Sequence, residues 1–190
     1  RRTKKRKECE KGDPRGALTL AGRYSYTAGV LNLVRSDARI QFWDYQARFD
    51  HDLGPRARYT AFAYGSYDDI GQRPRGDIPG STFLRFSFHR LDNRVRQRLR
   101  NGGSATYAVV LGLDTSGLQD FFTREYRIAP RIDYRIPTRR KSIEIGLGLD
   151  QEFQVFRATS RNVSADTTTS DVALFFSDRF VSATGGYAEL

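Results

Sequence analysis

The stretch REYRIAPRIDYRI, Arg124 to Ile136, decides how the rest of the chain is read. From Glu125 its odd positions are Glu, Arg, Ala, Arg, Asp and Arg. From Tyr126 its even positions are Tyr, Ile, Pro, Ile, Tyr and Ile. A period of two with one dry and one charged face marks a half-buried β-strand, not a helix. Pro130 removes one ladder donor, so a bulge or a locally open pairing is expected beside it. The charged face asks for water, and what the dry face meets must come from the remaining sequence.

The same alternation runs almost everywhere after residue 16. ALTLAGRYSYT places Leu18, Leu20, Tyr24 and Tyr26 on one face, and FWDYQARFDHDL does so with Trp43, Tyr45, Ala47, Phe49 and Leu53. ATYAVVLGLD sets Tyr107, Val109, Leu111 and Leu113 against Thr106, Ala108 and Gly112. SIEIGLGLDQEFQV sets Ile143, Ile145, Leu147, Leu149, Phe153 and Val155 against Glu144, Asp150, Glu152 and Gln154. In ARYTAFAYGSYDD both faces carry aromatics. In FLRFSFHRLDNRVRQRL the apolar parity switches after Phe88 to Leu91 and Val95, which predicts a bulge near His89–Arg90.

Composition bounds the classes. At 190 residues the chain is one domain's worth, and 38% hydrophobic residues are too many for general disorder despite a mean hydropathy of −0.60. No run of about 18 apolar residues exists, which excludes a transmembrane helix but not a spanning barrel. Half of the net charge of +10 sits in RRTKKRKECEK, so residues 1–16 read as a basic disordered tail rather than a nucleic-acid interface. No RNA-recognition motif accompanies it, and no nucleic-acid partner is expected. Cys9, the one cysteine, can form no internal disulfide and reads as inert. The chain has no methionine and begins Arg-Arg, so it reads as part of a longer product.

Connections give the second signal. GPRA (54–57), RNGG (100–103) and TRRK (138–141) are short; 28–37, 71–81, 115–120 and 158–170 are longer. Alternating short and long connections imply an antiparallel up-and-down meander with tight turns at one end. Such an all-β meander, of about 8–9 long strands, is either a soluble calyx with its apolar face inside or a transmembrane β-barrel, whole or partial, with that face toward lipid.

Three features favour lipid. Residues 121–136 and 142–157 form strands of about 15 residues, where soluble strands run about 5–6 and a tilted spanning strand needs roughly 9–11. Loop lengths are asymmetric, as in outer-membrane barrels. The aromatics Tyr24, Tyr26, Phe42, Trp43, Tyr45, Tyr64 and Tyr67 cluster toward the long-loop end, where a girdle belongs. Turning the 124–136 strand over would place Glu125, Arg127, Arg131, Asp133 and Arg135 in hydrocarbon at a cost of about 5–10 kcal/mol. The charged face is therefore expected to line a wet lumen.

Residues 23–69, RYSYTAGVLNLV…FWDYQARFDHDLGPRARYTAFAYGSYDD, resemble the barrel portion of proteobacterial TonB-dependent receptors. Tyr-Ser-Tyr at a strand end, Trp-Asp-Tyr-Gln-Ala-Arg opening the next and the FAYGSYDD close carry the likeness. STFLRFSFHRLD and the terminal GGYAEL are similar to strands of that family, and the resemblance extends over about residues 17–190. It implies a barrel of about 22 strands around a plug, with import energised through TonB, in the bacterial outer membrane. The chain itself contains no plug domain and no TonB box. Eight strands and the start of a ninth at GGYAEL are counted, so it reads as an internal piece of a larger barrel, with the tail a truncation or reading-frame artefact.

The site residues expected from this reading line the lumen: Arg127, Arg131, Asp133, Arg135, Glu144, Asp150 and Glu152. The carboxylates would neutralise the arginine wall and pack with it against a plug. His51 and His89 lack motif partners and read as structural. Neither DTTTSD nor GDIPG has the spacing of a calcium loop, and GLGLD lies within a strand and makes no phosphate cradle. The chain reads as non-enzymatic, with no cofactor or metal. Its expected partners are membrane lipid, a plug with the TonB system, and a small solute contacted mainly by the long loops. A small eight-stranded anchoring or adhesive barrel and a soluble lipocalin-like binder stand as alternatives.

Overall fold

Segments that alternate polar with β-branched and aromatic residues satisfy their backbone groups by pairing with neighbours. The computed structural model describes residues 15–25, 30, 33, 38–119, 121–138, 143–160 and 178–190. Within them the chain forms one antiparallel sheet of β1 (Gly16–Tyr24), β2 (Ala38–Gly54), β3 (Ala57–Gln72) and β4 (Ser81–Arg98), followed by β5 (Ser104–Leu118), β6 (Phe121–Pro137), β7 (Glu144–Ser160) and β8 (Arg179–Glu189). Spatial order follows sequence order, and each strand pairs only with its chain neighbours. The all-β meander is as the alternation implied. GGYAEL, read above as the start of a ninth strand, belongs to β8, and the segment before Asp178 lies outside the described residues. So do residues 1–14 of the expected tail, and β1 begins at Gly16, inside the tail's assigned boundary.

The ladder fixes the faces. Arg127, Arg131, Asp133 and Arg135 on β6 stand opposite Gly112, Ala108, Thr106 and Ser104 on β5, which stand opposite Arg90, Arg94, Arg96 and Arg98 on β4. These positions form the charged face. Leu18, Leu20, Trp43, Phe49, Leu111, Ile128, Ile132, Leu149 and Phe153 lie on the other. Of the described hydrophobic residues, Ala105 alone is buried; Ile128 is 51% exposed and Leu149 54%. The apolar face has no second layer against it among the described residues.

Three local expectations change. The register of β4 runs unbroken through His89–Arg90, so the expected bulge is absent there; the irregularity falls at Ile70/Gly71. The parity switch has another cause: the faces exchange polarity near the long-loop end. Ile40, Ile70, Leu84, Leu118 and Phe121 form one row of cross-strand partners on the charged face. On the apolar face at the same level stand Arg39, Asp69 and Arg85. The 115–120 segment is not a long loop either, since β5 continues to Leu118 and Gln119, at φ 54°, turns the chain into β6. Thr115, Ser116 and Gly117 look like turn residues but hold ladder positions opposite Arg124, Thr123 and Phe122. Strict alternation of short and long connections therefore fails at β5–β6. Beside Pro130 the β6–β7 pairing opens at Ala129–Pro130 without a register shift, as the missing donor requires.

The sheet is curved. Six inter-strand spacings of about 4.8 Å would hold β2 and β8 some 29 Å apart in a flat sheet. Yet Asp52 of β2 and Tyr187 of β8 line one cavity of about 780 Å³. The charged face is the concave one.

Close approach fixes one position in this sheet. A Cβ at Gly65 would stand 2.5 Å from the Phe88 carbonyl oxygen, 2.8 Å from His89 Nδ1 and 2.9 Å from the Tyr45 ring. Gly65→Ala is expected to destabilise by about 1–3 kcal/mol, because backbone must shift to admit the methyl. Chemical denaturation of the purified variant measures it, and a wild-type midpoint would refute the claim.

Candidate functional site: the charged concave face

Ion pairs between neighbouring strands organise this face. Arg127 bridges Glu125 and Glu152, each at 3.0 Å. Arg131 binds Asp133 at 2.9 Å and Asp150 at 3.3 Å, and Arg135 reaches Glu189 at 3.3 Å. Six of the seven expected residues thus take part in ion pairs across β6, β7 and β8, in three separate clusters: Arg127 with Glu152, Arg131 with Asp133 and Asp150, and Arg135 with Glu189. Glu144 shares the face, opposite Pro137, but makes no ion pair among the described residues. Of the expected carboxylates, Asp150 pairs with Arg131 and Glu152 with Arg127, whereas Arg135 takes Glu189 in place of Glu144.

Tyr187 supports the Arg131–Asp133 cluster. Its hydroxyl donates to Asp133 Oδ1 at 2.6 Å, and its ring lies against Gly148, the small residue that leaves it room. Further along, Arg90 grips Asp114 through two hydrogen bonds of 2.6 and 2.7 Å, and Arg94 binds Asp92 at 2.7 Å.

The cavity lies at the tight-turn end of this face. Arg94, Arg96 and Arg98 of β4 stand on one side and Arg131 and Arg135 of β6 on the other. Between them β5 offers only Ser104, Thr106 and Ala108, whose short side chains form a low floor. Arg58, held 3.4 Å from Asp52, and Arg56 bring the guanidiniums that line the cavity to seven. Arg96 and Arg98 are exposed and have no side-chain partner among the described residues. These two were not singled out from sequence. Their signal was available, since Asp92, Arg94, Arg96 and Arg98 keep a period of two in DNRVRQR.

The opposite face carries the aromatic candidates. Trp43 stacks on Tyr67 (5.7 Å between centroids) and contacts Tyr45 (6.1 Å), and Tyr24 stands opposite Trp43. Tyr45 meets His89 through its hydroxyl, 3.1 Å from Nδ1, and His51 stacks on Phe49 at 6.0 Å. Tyr64 belongs to the charged face instead. Its parity places it opposite Gln46 and Arg90, stacked on Phe62 at 4.9 Å and edge-on to Phe88 at 6.1 Å. Tyr26 lies outside the described residues.

A second aromatic set went unnoticed in sequence. Tyr59, Tyr107 and Tyr134 lie on the apolar face toward the tight turns. Tyr107 and Tyr134 share a 2.7 Å hydroxyl contact, and Tyr59 donates to Asn93 at 2.7 Å. Beyond Trp43 and Tyr67, at the other end, Asp69 is 1% exposed under Arg39, Arg85 and Tyr67. Arg85 donates to its Oδ2 at 2.6 and 2.8 Å, Tyr67 to the same oxygen at 2.9 Å, and Arg39 to Oδ1 at 3.0 Å.

The upper limit of the apolar band follows a single row across the sheet: Trp43, Tyr67, Ser87, Thr115, Arg124, Arg157. Below it the outward positions of β6 are apolar from Tyr126 to Ile136. A comparison with protein-family models and one with curated proteins matched this chain to none of them.

Proposed function

We propose that this chain forms part of the wall of an outer-membrane β-barrel of the TonB-dependent-receptor kind, one that passes a solute across the bacterial outer membrane. The apolar band meets lipid, and the concave charged face lines a wet lumen against which a plug packs in the intact protein. The observation that carries this reading is the height of the band. Tyr126 to Ile136 covers about 34 Å along the strand at about 3.4 Å per residue. At a tilt of about 40° that is about 26 Å along the membrane normal, against the roughly 25 Å apolar band of outer-membrane barrels.

Two further features support it. Aromatic residues stand near both limits of the band, Trp43, Tyr45 and Tyr67 at one and Tyr59, Tyr107 and Tyr134 at the other, as amphipathic rings do at the two interfaces. An uncovered apolar face of this extent also exceeds what a monomer keeps in water. The outer edges of β1 and β8 are unpaired among the described residues. Lipid does not tolerate such edges, so the proposal requires further strands beside both, from the rest of the barrel or, for the chain alone, from second copies of it.

The test is partition. Refolded in the presence of phospholipid vesicles, the chain is expected to float with them in a density gradient and to resist extraction at high salt. In detergent-free buffer it is expected to aggregate. A monomer with a cooperative melt in plain buffer would overturn the reading and favour a soluble binder.

A further inference from the structure

We propose that the cavity at the tight-turn end of the concave face is an anion site. Its ligand is a small solute carrying two or more adjacent phosphate or carboxylate groups. This deepens the transport reading, since it names the chemical class of solute that the wall would handle.

Part of the cavity's positive charge has no carboxylate against it among the described residues. Arg94, Arg131 and Arg135 each have a carboxylate within 3.3 Å, and Arg58 has one at 3.4 Å. Arg96 and Arg98 have none among the described residues, although both line the cavity. They are successive same-face residues of one strand, so their Cα atoms stand about 7 Å apart, and both side chains project to the same side. Two neighbouring guanidiniums with five donors each favour a ligand with more than one anionic group, bound through paired N–H···O contacts.

Shape agrees with charge. Across the ladder Arg98, Ser104 and Arg135 are successive partners, as are Arg94, Ala108 and Arg131. In each row two cations flank a small residue, at about twice the 4.8 Å strand spacing. Oxygen atoms of a bound anion fit above Ser104 and Thr106, whose hydroxyls add donors between the guanidiniums. Asp133, the carboxylate nearest this floor, is already bound by Arg131 and Tyr187 and so does not neutralise Arg96. The volume of about 780 Å³ falls within the range of small-molecule sites, roughly 300–1,000 Å³. An acidic polypeptide is the other occupant that such a surface suits. The pit between the two arginine columns, closed below by β5, favours a compact solute over an extended chain.

The probe is inorganic pyrophosphate, titrated calorimetrically into the full chain in a nonionic detergent micelle. Saturable binding is expected, weakening steeply as salt rises. Arg96→Gln and Arg98→Gln are each expected to weaken it about tenfold, since each removes charge-assisted hydrogen bonds. Neither side chain has a protein partner among the described residues, so the variants should retain the wild-type far-ultraviolet spectrum. Arg23→Gln, on the same face at the opposite end of the sheet, should bind as the wild type does. Three results would overturn the site: no saturable binding, equal binding by the Arg96→Gln/Arg98→Gln double variant, or binding of a polyglutamate peptide without binding of pyrophosphate. Vesicle flotation reads the membrane proposal separately. A chain that floats but does not bind loses only the anion site, and one that binds but does not float loses only the membrane reading.

Discussion

Asp69→Ala is expected to cost about 3–5 kcal/mol of unfolding free energy, because it strips the shared anion from two guanidiniums that are themselves half-buried. The carboxylate is 1% exposed and accepts from Arg39, Tyr67 and Arg85 at once. Removing it leaves two like charges facing each other, at the edge of an otherwise apolar surface. The cost should fall sharply in an Arg39→Gln/Arg85→Gln background, where nothing is left to compensate. Urea unfolding in vesicles measures both. A loss below about 1 kcal/mol in the wild-type background would mean that Arg39 and Arg85 find water or headgroups as good as Asp69.

The second large effect separates the two faces. Ile132→Arg, within the apolar band on β6, is expected to destabilise the vesicle-inserted chain by about 2–4 kcal/mol. Ala183→Arg on β8 introduces the same side chain on the charged face opposite Glu152, and there the change should be neutral or slightly favourable. The contrast matters more than either value. If Ile132 faced water the pair would be nearly indistinguishable, and if the concave side were the dry one their order would reverse.

Much of this could be read from residue order because a β-sheet writes its two faces as parity. The alternation in Tyr126–Ile136 and Ile145–Val155 carried strand and face together; the pairing register came from the structure, and the Arg131–Asp150 ion pair follows from it. Parity fails where the environment changes along one strand. Phe86 and Phe88 looked apolar, and so outward, but near the long-loop end the outward positions are taken by Arg85 and His89. The switch in β4 therefore reflects a change of surroundings, where sequence reasoning supplied a bulge. Tyr64 was misplaced for a related reason: both parities of β3 carry aromatics, and only pairing with β2 and β4 distinguishes them. Thr115–Gly117 have turn-like composition yet remain paired, since polar residues cost little where a strand leaves the apolar band. The cavity was hidden because it assembles from β2 to β8 through curvature, which no local pattern encodes.

The uncrossed order of the strands has a consequence for how such a wall changes over evolutionary time. Because no strand leans on any but its two immediate companions, a hairpin joined by the two-residue turn Pro55–Arg56 is a self-contained module. Duplicating or deleting one would alter the width of the sheet, measured across the strands, by about 9.6 Å and leave every other pairing as it was. Sheet width and face chemistry can then drift independently, the first by counting hairpins and the second by exchanging side chains on alternate residues.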